Sequence, residues 1–283
     1  MGMPWNRTAP SYLESFLPRF LPYHRDFVEQ LGAKEGDKVL VPGCGPGTDA
    51  IAFARAVGES GHVRATDPDA TWSESVHKRL KDAGVAGRAT FEPAPMTETS
   101  GAPFSIIASA FSSLSMDDER GALEAWRDAL AHHGKIGLMA WGPAAEDDPY
   151  ELYLDAVAEH AVELRVKAHG DATVDRSSLG HLFESAGLVM VRHTIIRHTQ
   201  VFTTTDEFVD AMVPALRWYP ELVALGETKV QKIRARFLEL VGGPGVALSF
   251  QPAATIAIGA APGEEIELPH RPSVRVKISD RPK

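Results

Sequence analysis

The chain has a single cysteine, Cys44, among its 283 residues. A lone cysteine excludes an internal disulfide and any metal site built from several thiolates, and it is typical of a reducing compartment. Positive charge is also scarce, since 38 acidic residues outnumber 29 lysines and arginines and give a formal net charge of -9. Nucleic acid phosphates are normally bound by a basic surface, so we expect no nucleic acid partner.

Long hydrophobic runs are missing as well. No stretch approaches the roughly 18 apolar residues of a membrane-spanning helix, and the opening segment MGMPWNRTAPSY has no signal-peptide core. We therefore expect a cytoplasmic protein, a monomer or homodimer, without a membrane partner. The 11 histidines show no ligand spacing, and His132-His133 is expected to be solvated. The prediction is that the protein holds no metal.

The sequence does contain a regular alternation of short apolar strands and amphipathic helices. Strands are predicted at 38–42, 62–67, 88–93, 104–111, 135–141, 188–196 and 246–261, the last one bent at Pro252. A strand every 20 to 30 or so residues implies right-handed crossovers and parallel pairing. The predicted fold class is α/β, with a doubly wound, mostly parallel seven-stranded sheet of Rossmann-like type and a helical cap.

The helices between and after these strands are predicted from apolar spacing. One helix has Leu123, Trp126 and Leu130 on one face, and Pro18 and Pro22 should kink or split the helical segment 11–32. Further helices are predicted at 150–167 and 179–186, and two at 205–241. Segments 1–30, 142–178 and 199–250 are predicted to form the cap. The tail 264–283 is either an edge strand or a flexible arm.

The segment VLVPGCGPGTDAIAFA, residues 39–54, carries the clearest functional signal. An apolar strand runs into Gly43, Gly45 and Gly47, and a helix begins at Thr48; such a turn brings backbone N–H groups up to a nucleotide. Asp67 ends the next strand about 20 residues later, where a carboxylate can accept hydrogen bonds from ribose hydroxyls. A dinucleotide fingerprint would place its third glycine at Thr48, so an NAD-dependent oxidoreductase is a weaker alternative.

These motifs, in this order, resemble the class I S-adenosylmethionine-dependent methyltransferases, in particular the small-molecule branch with the ubiquinone and menaquinone biosynthesis methyltransferases. The segment GDKVLVPGCGPGTDAIAFARAVGESGHVRATDPD resembles the first two strands of that family. FSIIASAFSSLSMDDERGALEAWRDALAHHGKIGLMAWGP is similar to its fourth and fifth strands, and LGHLFESAGLVMVR to its sixth. The resemblance covers roughly residues 10–260. It implies a methyltransferase domain over 31–263, S-adenosylmethionine as cofactor and S-adenosylhomocysteine as product.

The resemblance also implies a role for each matching residue. Asp67 would bind the ribose hydroxyls, Pro68 would lie beside the adenine, and Met96 would cover one adenine face. The remaining cofactor contacts would come from the glycine loop and the tip of the fourth strand: Gly43, Cys44, Gly45, Gly47, Ser109, Ala110 and Phe111. This chain departs from the pattern at Val41 and Pro95, where such proteins usually carry acidic residues.

The methyl acceptor is less well determined. Aromatic residues concentrate in the predicted cap, which favours a small, largely apolar organic acceptor of secondary-metabolite or quinone-like type. The candidate acceptor-binding residues are Tyr12, Phe16, Trp141, Tyr153 and Trp218, with ordinary core packing as the alternative for each. A general base, if one is needed, would be His169 or Asp171, with His160 next. The second hypothesis is an S-adenosylmethionine-binding protein of the same fold with non-methylating catalysis or an assembly role.

Overall fold

The computed structural model describes residues 8–112, 118–162, 164, 174–269 and 274–277. Contacts divide the chain into two compact units. We call them the sheet unit (residues 23–141, 174–196 and 254–283) and the accessory unit (residues 1–22, 142–173 and 197–253). None of the described helices is long and apolar enough to cross a membrane.

Strands and helices alternate along the first half of the chain. The described strands are β1 (Lys38–Pro42), β2 (His62–Asp67), β3 (Ala89–Pro93), β4 (Phe104–Ala110), β5 (Leu130–Trp141), β6 (Val189–Arg197), β7 (Gln200–Phe202), β8 (Leu248–Phe250), β9 (Ala253–Ala260), β10 (Glu265–Leu268) and β11 (Val274–Lys277). The described α-helices are α1 (Ala9–Ser11), α2 (Leu17–Leu31), α3 (Thr48–Ala56), α4 (Ser73–Asp82), α5 (Glu119–Asp128), α6 (Pro149–His160), α7 (Arg176–Ser185), α8 (Thr205–Met212), α9 (Tyr219–Ala224) and α10 (Glu227–Val241).

The main sheet of the described chain has seven strands in the order β3-β2-β1-β4-β5-β9-β6. The pairs from β3 to β5 are parallel, and β9 runs antiparallel to β5. The predicted doubly wound, mostly parallel α/β fold is confirmed. From β1 the chain moves outward to β2 and β3, then returns to place β4 on the other side of β1. The carboxyl ends of β1 and β4 therefore flank the topological switch point, where ligands bind in sheets of this kind.

The sheet unit is held together by apolar side chains between α5, α7 and the strands. Leu123 and Trp126 lie on the same face of α5 and are buried in one cluster with Ile107, Ile136 and Phe183. Burying a side chain of this size contributes about 1.5–3 kcal/mol. The indole N–H of Trp126 donates to the Met96 carbonyl at 2.7 Å, so its polar atom is satisfied in the core.

Two strand boundaries differ from the sequence prediction. Leu130 does not continue α5, which ends at Asp128; it begins β5 and pairs with Phe104. The predicted last strand is two strands, β8 and β9, which end and begin on either side of Pro252 and belong to different sheets. Proline has no N–H for a strand ladder, so pairing stops there rather than bending.

The helical predictions also need correction. The prolines do not split the first segment: α2 is continuous over Leu17–Leu31, with Pro22 inside it, and a π-helical turn over Tyr12–Phe16 precedes Pro18. Pro18 cannot donate the backbone bond that a regular helix needs, which accounts for an irregular turn there. Three α-helices rather than two occupy 205–241 among the described residues, because the chain turns at Pro214 and again at Gly226.

The accessory unit packs around aromatic rings. Phe208 contacts Tyr150, Phe202 and Phe250 with centroid distances of 5.2, 5.2 and 5.9 Å. The guanidinium of Arg19 lies 3.9 Å above the Phe202 ring. The short sheet β7–β8 supplies two of these rings. Apolar and cation–π contacts therefore stabilise this unit.

The tail contains an antiparallel hairpin, in which β10 pairs with β11. Buried Lys135 on β5 donates from Nζ to the Glu267 carbonyl at 2.8 Å, and Lys34 forms an ion pair with the Glu267 carboxylate at 2.6 Å. Arg192 donates to the Pro269 carbonyl at 2.8 Å. Of the two expectations for the tail, strand pairing is the one that its described residues show.

Candidate functional site

The glycine loop connects β1 to α3 in a conformation that only glycine adopts freely. Gly43, Gly45 and Gly47 have φ values of +66°, +49° and +79°. The Cys44 N–H donates to the Thr66 carbonyl at 3.0 Å, which ties the loop to β2. A side chain at these left-handed positions costs roughly 1–2 kcal/mol, so the alternation of glycines is explained by the backbone.

Asp67, at the end of β2, is bonded directly to this loop. Its Oδ2 accepts the Gly45 N–H at 2.8 Å and its Oδ1 accepts the Asp69 N–H at 2.9 Å. Burial raises the pKa of the Asp67 carboxyl above its ordinary value, although both backbone bonds act in the opposite direction. Each carboxylate oxygen has a second lone pair. The carboxylate can therefore fix the loop and still accept hydrogen bonds from a ligand.

The surroundings of the loop differ between Gly45 and Gly43. A Cβ built on Gly45 would meet no atom within 4 Å, so the loop backbone faces open space there. A Cβ on Gly43 would instead come within 2.3 Å of the Ser112 Oγ and 2.9 Å of the Met96 Cε. The structure thus brings Met96, a predicted cofactor residue, next to Gly43. Ser112, which the sequence prediction omitted, lies there too.

The end of β4 has a distorted backbone. Phe111 has a φ of +57°, and its N–H donates to the Met139 carbonyl at 2.7 Å. Its ring packs on Trp141 with centroids 4.4 Å apart. Ser109 is buried, and its Oγ is 2.9 Å from the Ser112 Oγ. A non-glycine residue in the left-handed region costs of order 1–3 kcal/mol, and such residues cluster at functional sites.

Cys44 is buried inside the glycine loop. Burial, followed by the charges of Asp67 and Asp49, raises the pKa of its thiol well above the ordinary value. The thiolate is the nucleophilic form of cysteine, and it is disfavoured here. A nucleophilic role for Cys44 is therefore not supported, whereas its backbone remains part of the loop.

The structure also reveals a buried pair that the sequence prediction missed. The His24 Nδ1 lies 2.8 Å from the Asp49 Oδ1, and both side chains are almost fully enclosed. Asp49 is in the first turn of α3, directly after the loop, and the His24 ring contacts Phe111 edge-on at 5.7 Å. The partners are 25 residues apart and belong to no local motif, so only the folded chain shows them together.

The predicted acceptor residues fall in both units. Trp141 is in the sheet unit against Phe111, whereas Tyr12 and Phe16 stack on each other in the accessory unit at 5.3 Å. Tyr153 is buried, 6.3 Å from the Trp218 ring and 5.3 Å from Phe237, so these residues pack in the interior of the accessory unit.

Of the predicted bases, the structure shows only one. His160 is the last residue of α6 in the accessory unit, and its side chain is half-buried. His169 and Asp171 lie outside the described residues. Their proposed roles stay predictions.

One group of possible metal ligands occurs in the described part of the chain. Ligand atoms of His132, His133 and Glu264 lie within 4.8 Å of one another. The histidines are exposed, as predicted, but the convergence with Glu264 was not foreseen because it lies 131 residues further along the chain. The group is at the amino-terminal edge of the parallel strands, opposite the glycine loop.

Comparison with known proteins agrees with the geometry. Residues 39–134 match the family model described as a methyltransferase domain. The ubiquinone/menaquinone biosynthesis C-methyltransferase UbiE of Shewanella halifaxensis is 24% identical over 193 residues, covering 61% of this chain and 74% of the relative. UbiE of Vibrio vulnificus is 27% identical over 143 residues, covering 49% and 54% respectively. The chain thus spans half to three quarters of these relatives' length.

Solved structures show the same fold at low identity. The YcgJ protein of Bacillus subtilis aligns with a TM-score of 0.55 at 15% identity, covering 84% of this chain and 97% of its own. The 4+2 cyclase SpnF aligns with a TM-score of 0.54 at 13% identity, covering 87% and 83%. Because a cyclase shares it, the fold alone does not fix the reaction.

The sheet order, the glycine loop with its bonded aspartate and the matching domain model together support a class I S-adenosylmethionine-dependent methyltransferase. Within this class, the chain resembles the UbiE enzymes.

Proposed function

We propose that this chain binds S-adenosylmethionine at the glycine loop and transfers its methyl group to a small, largely apolar organic acceptor. The observation that carries the proposal is the Asp67 carboxylate bonded to Gly45 N–H, beside a stretch of backbone that faces open space. S-adenosylmethionine supplies a methyl group on a sulfonium sulfur, and S-adenosylhomocysteine is its product. The chain itself must bind, align and exclude water.

Each predicted cofactor residue has a proposed task. Asp67 would accept hydrogen bonds from the ribose hydroxyls, with Pro68 and Met96 beside the adenine. Gly45 would let the backbone approach closely, because it has no side chain in the open space. Ser109, Ala110 and the strained Phe111 would contact the methionine part.

A quinone-like or secondary-metabolite acceptor is supported by two observations. The relatives are named for methylation in ubiquinone and menaquinone biosynthesis. The packed rings of Phe111 and Trp141, at the end of β4 and β5, are apolar groups that suit such a molecule. We further propose that the accessory unit contributes to acceptor recognition, and that His160, His169 or Asp171 supplies a base if the acceptor needs one.

The test is a transfer assay with methyl-labelled S-adenosylmethionine. The protein is incubated with hydroquinones, phenols and small carboxylic acids, and with an extract of the molecules that co-purify with it. Label should enter a hydroquinone or phenol, and Asp67→Ala should slow the transfer when S-adenosylmethionine is limiting. Label in none of these acceptors, with S-adenosylhomocysteine still bound, would instead favour non-methylating catalysis, which Val41 and Pro95 keep open as the second candidate.

A further inference from the structure

The His24–Asp49 pair is almost completely buried and is joined by a hydrogen bond. His24 is 7% exposed and Asp49 is 4% exposed, and a hydrogen bond of 2.8 Å joins Nδ1 to Oδ1. Within the part of the chain that the structure describes, Oδ2 of Asp49 has no hydrogen-bond partner. This oxygen is not completely buried. One oxygen of an almost buried carboxylate is therefore available to a ligand.

The pair lies at the switch point of the sheet. Asp49 lies in the first turn of α3, directly after the glycine loop that follows β1, and the His24 ring rests against Phe111, which follows β4. Asp49 and Asp67 both lie close enough to Cys44 for their charges to act on its thiol. Two carboxylates thus lie beside the same glycine loop, but only Asp67 accepts a hydrogen bond from the loop backbone.

An unpaired oxygen on an almost buried carboxylate favours a cationic donor. A charge-assisted bond from an ammonium is stronger than one from a neutral group, and the enclosed position limits competition from water. Strand β1, which leads into the glycine loop, offers no acidic group, since Val41 is apolar and buried. His24 would keep the Asp49 carboxylate oriented through its Nδ1–H.

We propose that Asp49 binds the ammonium at the amino-acid end of the cofactor, with His24 as its positioning residue. The inference rests on the proposed function and deepens it, because it assigns the part of the ligand that Asp67 does not reach. Asp67 would then bind the ribose and Asp49 the amino-acid end of one molecule.

Three probes separate the ends of the ligand by calorimetry. S-adenosylhomocysteine carries the whole amino-acid end, its decarboxylated analogue keeps only the ammonium, and 5′-methylthioadenosine has neither group. Asp49→Asn should weaken the first two at least tenfold and leave 5′-methylthioadenosine within twofold of wild type. His24→Ala should show the same selectivity, and His24→Asn, which keeps a donor, should recover part of the loss.

Matched controls are Asp82→Asn and His181→Ala, exposed residues of the sheet unit that should change no affinity. Equal losses for all three probes would overturn the proposal, as would unchanged S-adenosylhomocysteine binding in Asp49→Asn with slower methyl transfer, which would indicate a proton acceptor. A wild-type protein that binds none of the probes would overturn the proposed function as well.

A measurement on the wild-type protein does not depend on how the variants fold. In a histidine-labelled nuclear magnetic resonance titration, the His24 ring signals should shift with S-adenosylhomocysteine and with the decarboxylated analogue. They should stay in place with 5′-methylthioadenosine. Ring signals that respond equally to all three probes, or to none, would contradict the assignment.

Discussion

At the residue scale, Asp67 combines a structural task with the proposed task of binding the ribose. Its two oxygens accept the N–H groups of Gly45 and Asp69 at 2.8 and 2.9 Å, so the carboxylate holds the loop even without a ligand. Ribose hydroxyls would share the same oxygens. Changes at Asp67 should therefore affect the loop and the ligand together.

We expect Asp67→Ala to weaken S-adenosylhomocysteine binding at least tenfold. A hydrogen bond to a charged group contributes about 1.5–3 kcal/mol, and the substitution removes two such bonds to the ligand. Calorimetry measures the affinity, and Asp82→Ala, at the exposed end of α4, is the control. Wild-type affinity in Asp67→Ala would show that the ribose is bound elsewhere.

The raised pKa of Asp67 predicts how binding depends on pH. Ribose hydroxyls donate to the ionised carboxylate, so the ionised form binds and protonation competes with the ligand. Because burial raises the pKa, affinity should fall on acidification at a higher pH than it would for an ordinary aspartate. Calorimetry from neutral to acidic pH should show this fall, and Asp67→Asn should remove that part of it. An identical pH profile in Asp67→Asn would be inconsistent with the role.

Gly45 and Gly84 form a matched pair for testing the loop. Both have positive φ, +49° and +70°, and a Cβ on either would meet no atom within 4 Å. Alanine at either position should therefore cost similar stability, roughly 1–2 kcal/mol. Only Gly45→Ala should weaken S-adenosylhomocysteine binding, by tenfold or more, since its methyl group enters the ligand space. Equal affinities in the two variants would remove Gly45 from the site.

At this scale the sequence could predict what is local. The glycines and Asp67 follow consecutive strands, so their proximity comes from the βαβ unit itself. His24 and Ser112 were missed for different reasons. His24 meets Asp49 through tertiary packing, and Ser112 approaches Gly43 only because the backbone turns sharply at Phe111.

At the element scale, the strands of the parallel sheet were predictable because they are apolar, short and bounded by turn residues. The boundary between α5 and β5 was not, since Leu130 fits both a helix face and a strand end. The break at Pro252 depends on which strand each half finds as a partner. Local sequence patterns cannot predict the pairing of strands that are more than 40 residues apart in the chain, such as β7 and β8.

Lys135 connects β5 to β10 and should make stability depend on pH. Burial lowers the pKa of Lys135 from 10.5 to about 8. Below pH 8 Lys135 is protonated in both the folded and the unfolded state. Between about pH 8 and 10.5 only the unfolded state keeps this proton, and that advantage of the unfolded state weakens as the pH rises. The free energy of unfolding should therefore rise until about pH 10.5. The shift corresponds to about 3 kcal/mol. Denaturant unfolding at pH 7 to 10 or so should show a rise that Lys135→Met loses and exposed Lys78→Met keeps; identical profiles would contradict it.

The group His132, His133 and Glu264 lies at the opposite edge of the sheet from the glycine loop. A metal bound there could not contact a ligand at Gly45. We therefore expect a chelator to leave S-adenosylhomocysteine affinity and methyl transfer unchanged, and His132→Ala to do the same. Transfer that is lost with chelator and restored by a divalent cation would show a metal in the reaction.

At the scale of the whole molecule, the sheet unit carries every residue proposed here to hold the cofactor. The accessory unit is built from three separate segments and carries Tyr12, Phe16, Tyr153 and Trp218. Its packing could not be predicted, because it depends on aromatic contacts between segments that are far apart in sequence.

Calorimetry of the wild-type protein with S-adenosylhomocysteine and, separately, with NAD tests the central claim most directly. The glycine loop, with Thr48 where a dinucleotide site has its third glycine, should admit the first ligand and reject the second. We expect one molecule of S-adenosylhomocysteine to bind per chain and NAD to give no binding heat. NAD binding in place of S-adenosylhomocysteine, or binding of neither, would contradict the assignment of this loop to S-adenosylmethionine.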